Sequence, residues 1–242
     1  MTIRLGINID HIATLRNARG GNHPDVLRAL EPCKMAGAES ITIHLREDRR
    51  HIRDADVAAI IRANMLPVNL EMAATEEMLN IALAYKPHAV CIVPEKRAEL
   101  TTEGGLDVIA ELPRLTEMLA ILNAAEIRTS LFVDADEKQI EASKKARARC
   151  IEIHTGKYAK HFPNAGVQLS AIKTAVQKAH GFGLEVHAGH GLNYDNTPFI
   201  AAIPHVKELN IGHFLMGEAL FVGLENAIHT MKQIIAKSEA IS

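Results

Sequence analysis

Strand-like and helix-like runs alternate along this chain, and that alternation restricts the folds open to it more than any other feature. The β-rich runs are "IRLGINI", "SITIHL", "PVNLEM", "AVCIV", "RTSLFV", "CIEIHT", "LEVHAG" and "LNIGHFLMG", eight in all. Amphipathic stretches lie between them at 54–64, 75–85, 137–148 and 167–180, and a longer one at 218–240 closes the chain. Strand-then-helix order makes neighbouring strands parallel, because a parallel pair needs a crossover long enough to hold a helix. Eight such units in 242 residues match a closed (β/α)8 TIM barrel, which takes roughly 250. The rival architecture, an open doubly wound sheet, calls for a glycine-rich turn after the first strand, and that turn is absent. The segment 106–126 is too long for one plain helix and holds Pro113, so it is expected to break into two pieces. No linker or low-complexity tract divides the chain, which reads as a single domain over 1–242.

Adjacent strand residues point to opposite faces, so each run separates into two sets. Ile3, Leu5, Ile7 and Ile9 oppose Gly6, Asn8 and Asp10; Ile41, Ile43 and Leu45 oppose Thr42, His44 and Arg46. Val68, Leu70 and Met72 oppose Asn69 and Glu71, and Ile151 and Ile153 oppose Glu152 and His154. In a barrel the aliphatic set packs on the helices and the polar set points inward, toward the C-terminal mouth. Burying such groups costs several kcal/mol unless they pair with one another or with a ligand. A self-satisfied ionic layer would account for any one of them. Six of the 13 histidines, His11, His44, His154, His187, His190 and His213, fall at or just beyond strand ends, and that recurrence favours a site.

Two glycine-containing stretches, "AGHGL" and "NIGHFLMGEAL", follow strands seven and eight, where barrels present backbone N–H groups and a helix N-terminus to phosphate. Arg19, Arg46 and His51 add cationic donors in the first two βα loops, suited to a second anion. Arg49, Arg50 and Arg53 read as a solvated charged face. Asp134 stands three residues before Glu137, a capping-box spacing, and is expected to cap a helix. Lys157 reads as an exposed loop lysine rather than a Schiff-base former. No H-x-H or H-E-x-x-H spacing is present, so no metal is expected.

The charge balance, 27 Lys and Arg against 29 Asp and Glu, supplies no broad basic field for nucleic acid. No apolar run approaches the roughly 20 residues of a membrane span, and "MTIRLGINID" lacks the apolar core of a signal peptide. Cys33, Cys91 and Cys150 are odd in number, and two lie in apolar strand runs; they read as reduced thiols of a cytoplasmic protein.

The blocks "NIDHIATLRNARG", "ITIHLREDRRHI", "NLEMAATEEML", "VPEKRAELTTEGGLD", "IEIHTGKYA", "AGHGLNY" and "LNIGH" together resemble the pyridoxine 5'-phosphate synthase family, from about Gly6 to Gly223. The resemblance implies a (β/α)8 barrel with extra helices, assembled as a homo-octamer. It implies that two small phosphorylated substrates, 3-amino-2-oxopropyl phosphate and 1-deoxy-D-xylulose 5-phosphate, condense without a cofactor to pyridoxine 5'-phosphate, phosphate and water. Residue by residue it implies His44 and Glu71 as general bases, His190 as proton donor and Glu152 as the group stabilising transition-state charge. Asn8, Arg19, Gly191, Gly212 and His213 match the amino ketone phosphate site; Asp10, His11, Arg46, His51 and Thr101 match the deoxyxylulose phosphate site. The "TTEGG" loop after strand four is a candidate lid. The stretch "AKHFPNAGVQ" departs from the family form and is shortened, with an effect expected on helix six or a subunit contact. A metal-dependent hydrolase and a non-enzymatic phosphosugar-binding module are the alternatives on the same barrel.

Overall fold

Leu5, Ile7, Ile9, Ile41, Ile43, Leu70, Ile151 and Ile153 are fully buried in one core with helix residues such as Val57, Ile60, Met78 and Leu115. The aliphatic face of each strand is thus the face covered by helices. The computed structural model describes residues 2–95 and 104–239. Its strands, β1 (Arg4–Asn8), β2 (Ser40–His44), β3 (Val68–Met72), β4 (Ala89–Ile92), β5 (Arg128–Val133), β6 (Cys150–His154), β7 (Glu185–Gly189) and β8 (Val206–Ile211), are all parallel. They pair in sequence order, and β8 closes on β1.

Around them run α1 (Asp10–Ala18), α2 (Leu30–Met35), α3 (Asp54–Ala63), α4 (Glu76–Tyr85), α5 (Leu112–Ala124) and α6 (Glu137–Lys145). Then come α7 (Gly156–His161), α8 (Gly166–Gly181), α9 (Thr197–Ala201), α10 (His213–Val222) and α11 (Leu224–Glu239). Among the described residues there are thus more helices than strands, as the extra-helix expectation requires, and none is long and apolar enough to cross a membrane.

Several local expectations need correction. Pro113 does not split a helix; it sits in the first turn of α5, where its missing N–H costs nothing. The terminal stretch 218–240 is two helices, because the chain turns at Gly223 with φ +83°. The eighth strand begins at Val206, and His213 opens α10 rather than ending a strand. Asp134 caps nothing: the N-cap of α6 is Asp136, whose side chain accepts from the N–H groups of Lys138 and Gln139.

The polar strand faces fill the barrel in layers. At its floor, where the strands start, Arg4 pairs with Glu185 and places Nε 2.8 Å from Glu208. Arg128 reaches both carboxylates at 3.2 and 3.3 Å, and His187 Nε2 lies 2.9 Å from Glu185. His187 therefore belongs to this ionic layer at the floor, not to the mouth with the other five histidines. Above it, Asn69 donates to Thr42, Thr42 to Asn210, and Asn210 Nδ2 to Glu152 Oε2 at 2.7 Å, a chain of hydrogen bonds across the interior.

Candidate active site

Two carboxyls stand over that polar layer. Glu152, third residue of β6, is 2% exposed and fits because β7 ends in Gly189, where a Cβ would come within 2.2 Å of Glu152 Oε1. Burial pushes Glu152 up to about 8, assisted by the charge of Glu208 and opposed by the Asn210 hydrogen bond. Glu71 pairs in register with His44 on the next strand and keeps 16% of its side chain open to the mouth. Burial, then the charges of Glu152 and Asp10, drive it well above the carboxylate range. Both carboxyls are thus held toward protonation, so the site can give a proton as well as take one.

His44 is held on every side. Asp10 Oδ1 accepts its backbone N–H at 2.9 Å, its Nδ1 lies 3.8 Å from Glu71 Oε2, and its Nε2 lies 2.8 Å from Glu95 Oε1. Asp10 opens α1 directly after β1 and is braced by Asn8, whose Nδ2 donates to Oδ2 at 3.0 Å. Burial raises the Asp10 carboxyl, against the pull of His44 and of the Asn8 amide.

Across the mouth, His190 follows β7 with φ +80°, a left-handed conformation uncommon for a side-chain-bearing residue. It packs edge-on against His154 at 5.1 Å between ring centroids, and Phe132 backs His154 at 5.2 Å. Burial, with the neighbouring His154 and His213, lowers His190 to about 4, so its imidazole is neutral at pH 7. Asp134 Oδ1 lies 3.0 Å from His154 Nδ1, while His154 Nε2 is buried with no partner among the described residues.

A third group gathers where α1 and α10 begin. His213 Nδ1 is 3.2 Å from His11 Nε2, and His51 Nδ1 is 2.8 Å from Thr14 Oγ1. Burial, with the neighbouring His11 and His44 and the charges of Arg46 and Arg50, lowers His51 to about 4; burial and His213 lower His11. Arg46 is 4% exposed, with Nε 3.7 Å from Asp48. The loops after β7 and β8 enclose a cavity of about 380 Å³ lined by Gly191, Leu192, Gly212, His213, Phe214 and Gly217. Gly191 is at φ +79°, and a Cβ there would come within 2.8 Å of Ala159, so only glycine fits.

The structure thus brings together His44, Glu71, Glu152, His190, Asn8, Asp10, His11, Arg46, His51, Gly191, Gly212 and His213. Arg19 is not among them: it is exposed at the far end of α1, roughly 13 Å along the axis from Asp10 at 1.5 Å per residue. Thr101 and most of the candidate lid lie outside the described residues. Lys157 is exposed, as expected, but stands on α7 and pairs with Asp134 at 3.1 Å. Arg49 and Arg50 lie on a surface of ion pairs, with Asp54 and with Asp48.

Two sets of described residues converge closely enough to hold a cation, Asp10–His44–Glu71 and Cys150–Glu185–His187, each with ligand atoms within 4.8 Å of one another. In the first, both Asp10 oxygens are already engaged, by the His44 backbone N–H and by Asn8, and His44 Nε2 by Glu95, which leaves His44 Nδ1 and Glu71. In the second, Glu185 serves two arginines and burial pushes the Cys150 thiol up to about 12.

Glu95 and Asp134 escaped the strand reading as site residues, yet a signal for both was present. Cys91, Val93 and Glu95 continue the inward set of β4, and Ser130, Phe132 and Asp134 that of β5. The alternation simply runs past the last ladder residue.

A family model described as pyridoxal phosphate biosynthesis protein PdxJ matches residues 5–237. Relatives named pyridoxine 5'-phosphate synthase include one from Ruegeria pomeroyi, 53% identical over 98% of both chains. Another, from Zymomonas mobilis, is 54% identical over 98% of this chain and 93% of that one. Among solved structures, orotidine 5'-monophosphate decarboxylase from Methanocaldococcus jannaschii superposes with TM-score 0.68 at 12% identity, covering 97% of this chain and 99% of its own. A 3-keto-L-gulonate-6-phosphate decarboxylase from Vibrio cholerae gives 0.69 at 8%, covering 98% and 99%. At such identities these likenesses concern the barrel alone.

Proposed function

The chain belongs to the family of the pyridoxal phosphate biosynthesis protein PdxJ, and from that premise we propose that it is a pyridoxine 5'-phosphate synthase. It condenses 3-amino-2-oxopropyl phosphate with 1-deoxy-D-xylulose 5-phosphate, releasing phosphate and water. The observation that carries this reading is the convergence of His44, Glu71, Glu152 and His190 at one barrel mouth, with both carboxyls held toward protonation.

The amino group of one substrate attacks the ketone of the other, so no enzyme lysine is needed for the imine and no cofactor for the later steps. Dehydration, phosphate loss and ring closure are then proton transfers. His44 and Glu71 act as general bases and Glu152 stabilises developing charge. His190 is the proton donor: neutral on its own, it gains basicity when a phosphate dianion lies against it.

The glycine loops with Asn8, Gly191, Gly212 and His213 hold the amino ketone phosphate. Asp10, His11, Arg46, His51 and Thr101 hold the deoxyxylulose phosphate. The protein works in the cytoplasm as one barrel domain, assembled into a homo-octamer.

The test is to incubate chelator-treated protein with both substrates and follow pyridoxine 5'-phosphate by its absorbance alongside phosphate release. Equal appearance of both is expected. Binding of either substrate without turnover would favour a phosphosugar-binding module, and activity only on adding a metal would favour a metal-dependent mechanism.

A further inference from the structure

Glu95 lies just beyond β4, with its side chain 5% exposed, and both of its oxygens are engaged by donors. Oε2 accepts the backbone N–H of Glu47 at 3.0 Å; Oε1 is 2.8 Å from His44 Nε2. A peptide N–H can only donate, and an ionised carboxylate can only accept. Burial alone would raise the Glu95 carboxyl, but the hydrogen bond and charge of His44, the Glu47 N–H and Arg46 together bring it below its ordinary value. His44 Nε2 must therefore carry a proton, which leaves Nδ1, facing Glu71 across 3.8 Å, as the ring nitrogen that can accept one. The other groups near His44 do not compete for Nε2: Asp10 takes the backbone N–H, and Arg46 and His51 are cationic or neutral donors from the loop after β2.

We propose that Glu95 is a positioning residue for the reaction: it fixes His44 in the Nε2–H tautomer, with Nδ1 as the accepting nitrogen, and balances the imidazolium that forms when Nδ1 takes a proton. Its second oxygen ties the dyad to the loop that carries Arg46, so the base and an anion-binding arginine are set by one side chain. This assignment rests on the synthase reading for its catalytic meaning, but the tautomer does not.

Two measurements test it. In Glu95→Gln the amide has one acceptor for two donors. With its carbonyl on Glu47, its NH2 faces His44 and drives the imidazole proton to Nδ1. We expect kcat to fall about 10²-fold, the scale of one general base, with KM for both substrates within about twofold; Glu95→Asp should recover part of the loss. Independently, ¹⁵N spectra of the unmodified protein, with His44 assigned by its absence in His44→Asn, should show a protonated Nε2 and a bare Nδ1. An unchanged kcat in folded Glu95→Gln, or a protonated Nδ1 in the unmodified protein, overturns the proposal. The spectra decide if the variant fails to fold. They also separate a wrong tautomer from a wrong reaction, since they need no turnover.

Discussion

Glu71 and Glu152 sit in the same barrel mouth, yet the fold treats them differently, and the difference is measurable. Glu71 keeps an open edge beside His44, which suits a group that exchanges protons with substrate. Glu71→Gln keeps shape and hydrogen bonding but cannot accept a proton, so kcat should fall roughly 10²–10⁴-fold with the fold intact by circular dichroism. Glu152 is sealed behind Asn210, and its cost appears in stability. It titrates near 8 in the fold against an ordinary 4.5, so the native state keeps a proton that the unfolded chain releases in that window. The stability tied to this proton is fully present below 4.5 and is lost as pH rises through 8. Glu152→Gln removes the penalty, so the Tm of the variant should gain on that of the parent between pH 4.5 and 8 and run parallel to it above. Glu71 and Glu152 were legible in the sequence because a charged residue stands out between aliphatic strand neighbours. Glu95 and Asp134 were not, because they follow the last hydrogen-bonded strand residue and a carboxylate there reads equally as a cap or a loop.

At the scale of elements, α1 does more than cover the barrel. Its Arg16 clamps Asp56 of α3 through two bonds of 2.7 and 2.8 Å and also reaches the His51 carbonyl. Asn17 adds bonds to the carbonyls of Arg50 and His51. The loop that carries Arg46 and His51 is thus moored to a helix that begins with Asp10. Arg16→Met strips a buried carboxylate of its cationic partner, leaving it only the Arg53 N–H, and should lower the unfolding free energy in urea by roughly 3 kcal/mol. It should also raise KM for deoxyxylulose phosphate about tenfold, the equivalent of roughly 1.4 kcal/mol, with little change for the amino ketone phosphate. Hydrophobic period made the strands and most helices readable in advance. It could not place the break at Gly223, since a single glycine costs only about 1 kcal/mol in a helix and leaves the pattern unbroken on both sides. Arg19 shows the complementary limit: its chemistry was plain from sequence, but its distance from Asp10 depends on how far α1 runs.

For the molecule as a whole, α10 ends in Leu220, Phe221 and Val222, exposed to 73, 85 and 42%, beside an apolar cavity of about 480 Å³ between α1 and α10. Such a patch on the rim of a barrel is costly in water. In the octamer proposed above it would be covered, so Phe221→Asp should sediment as a smaller species than the parent protein; equal masses would place the contacts elsewhere. No hydrophobic period reports how copies of a chain meet, and this level stayed beyond the strand reading. The floor of Arg4, Arg128, Glu185, Glu208 and His187 has its own consequence. It turns the barrel into a cul-de-sac, with a single doorway for two arrivals and for everything made from them. Departing phosphate must leave by the way the next substrate comes in, so entry and exit share one route and each waits on the other.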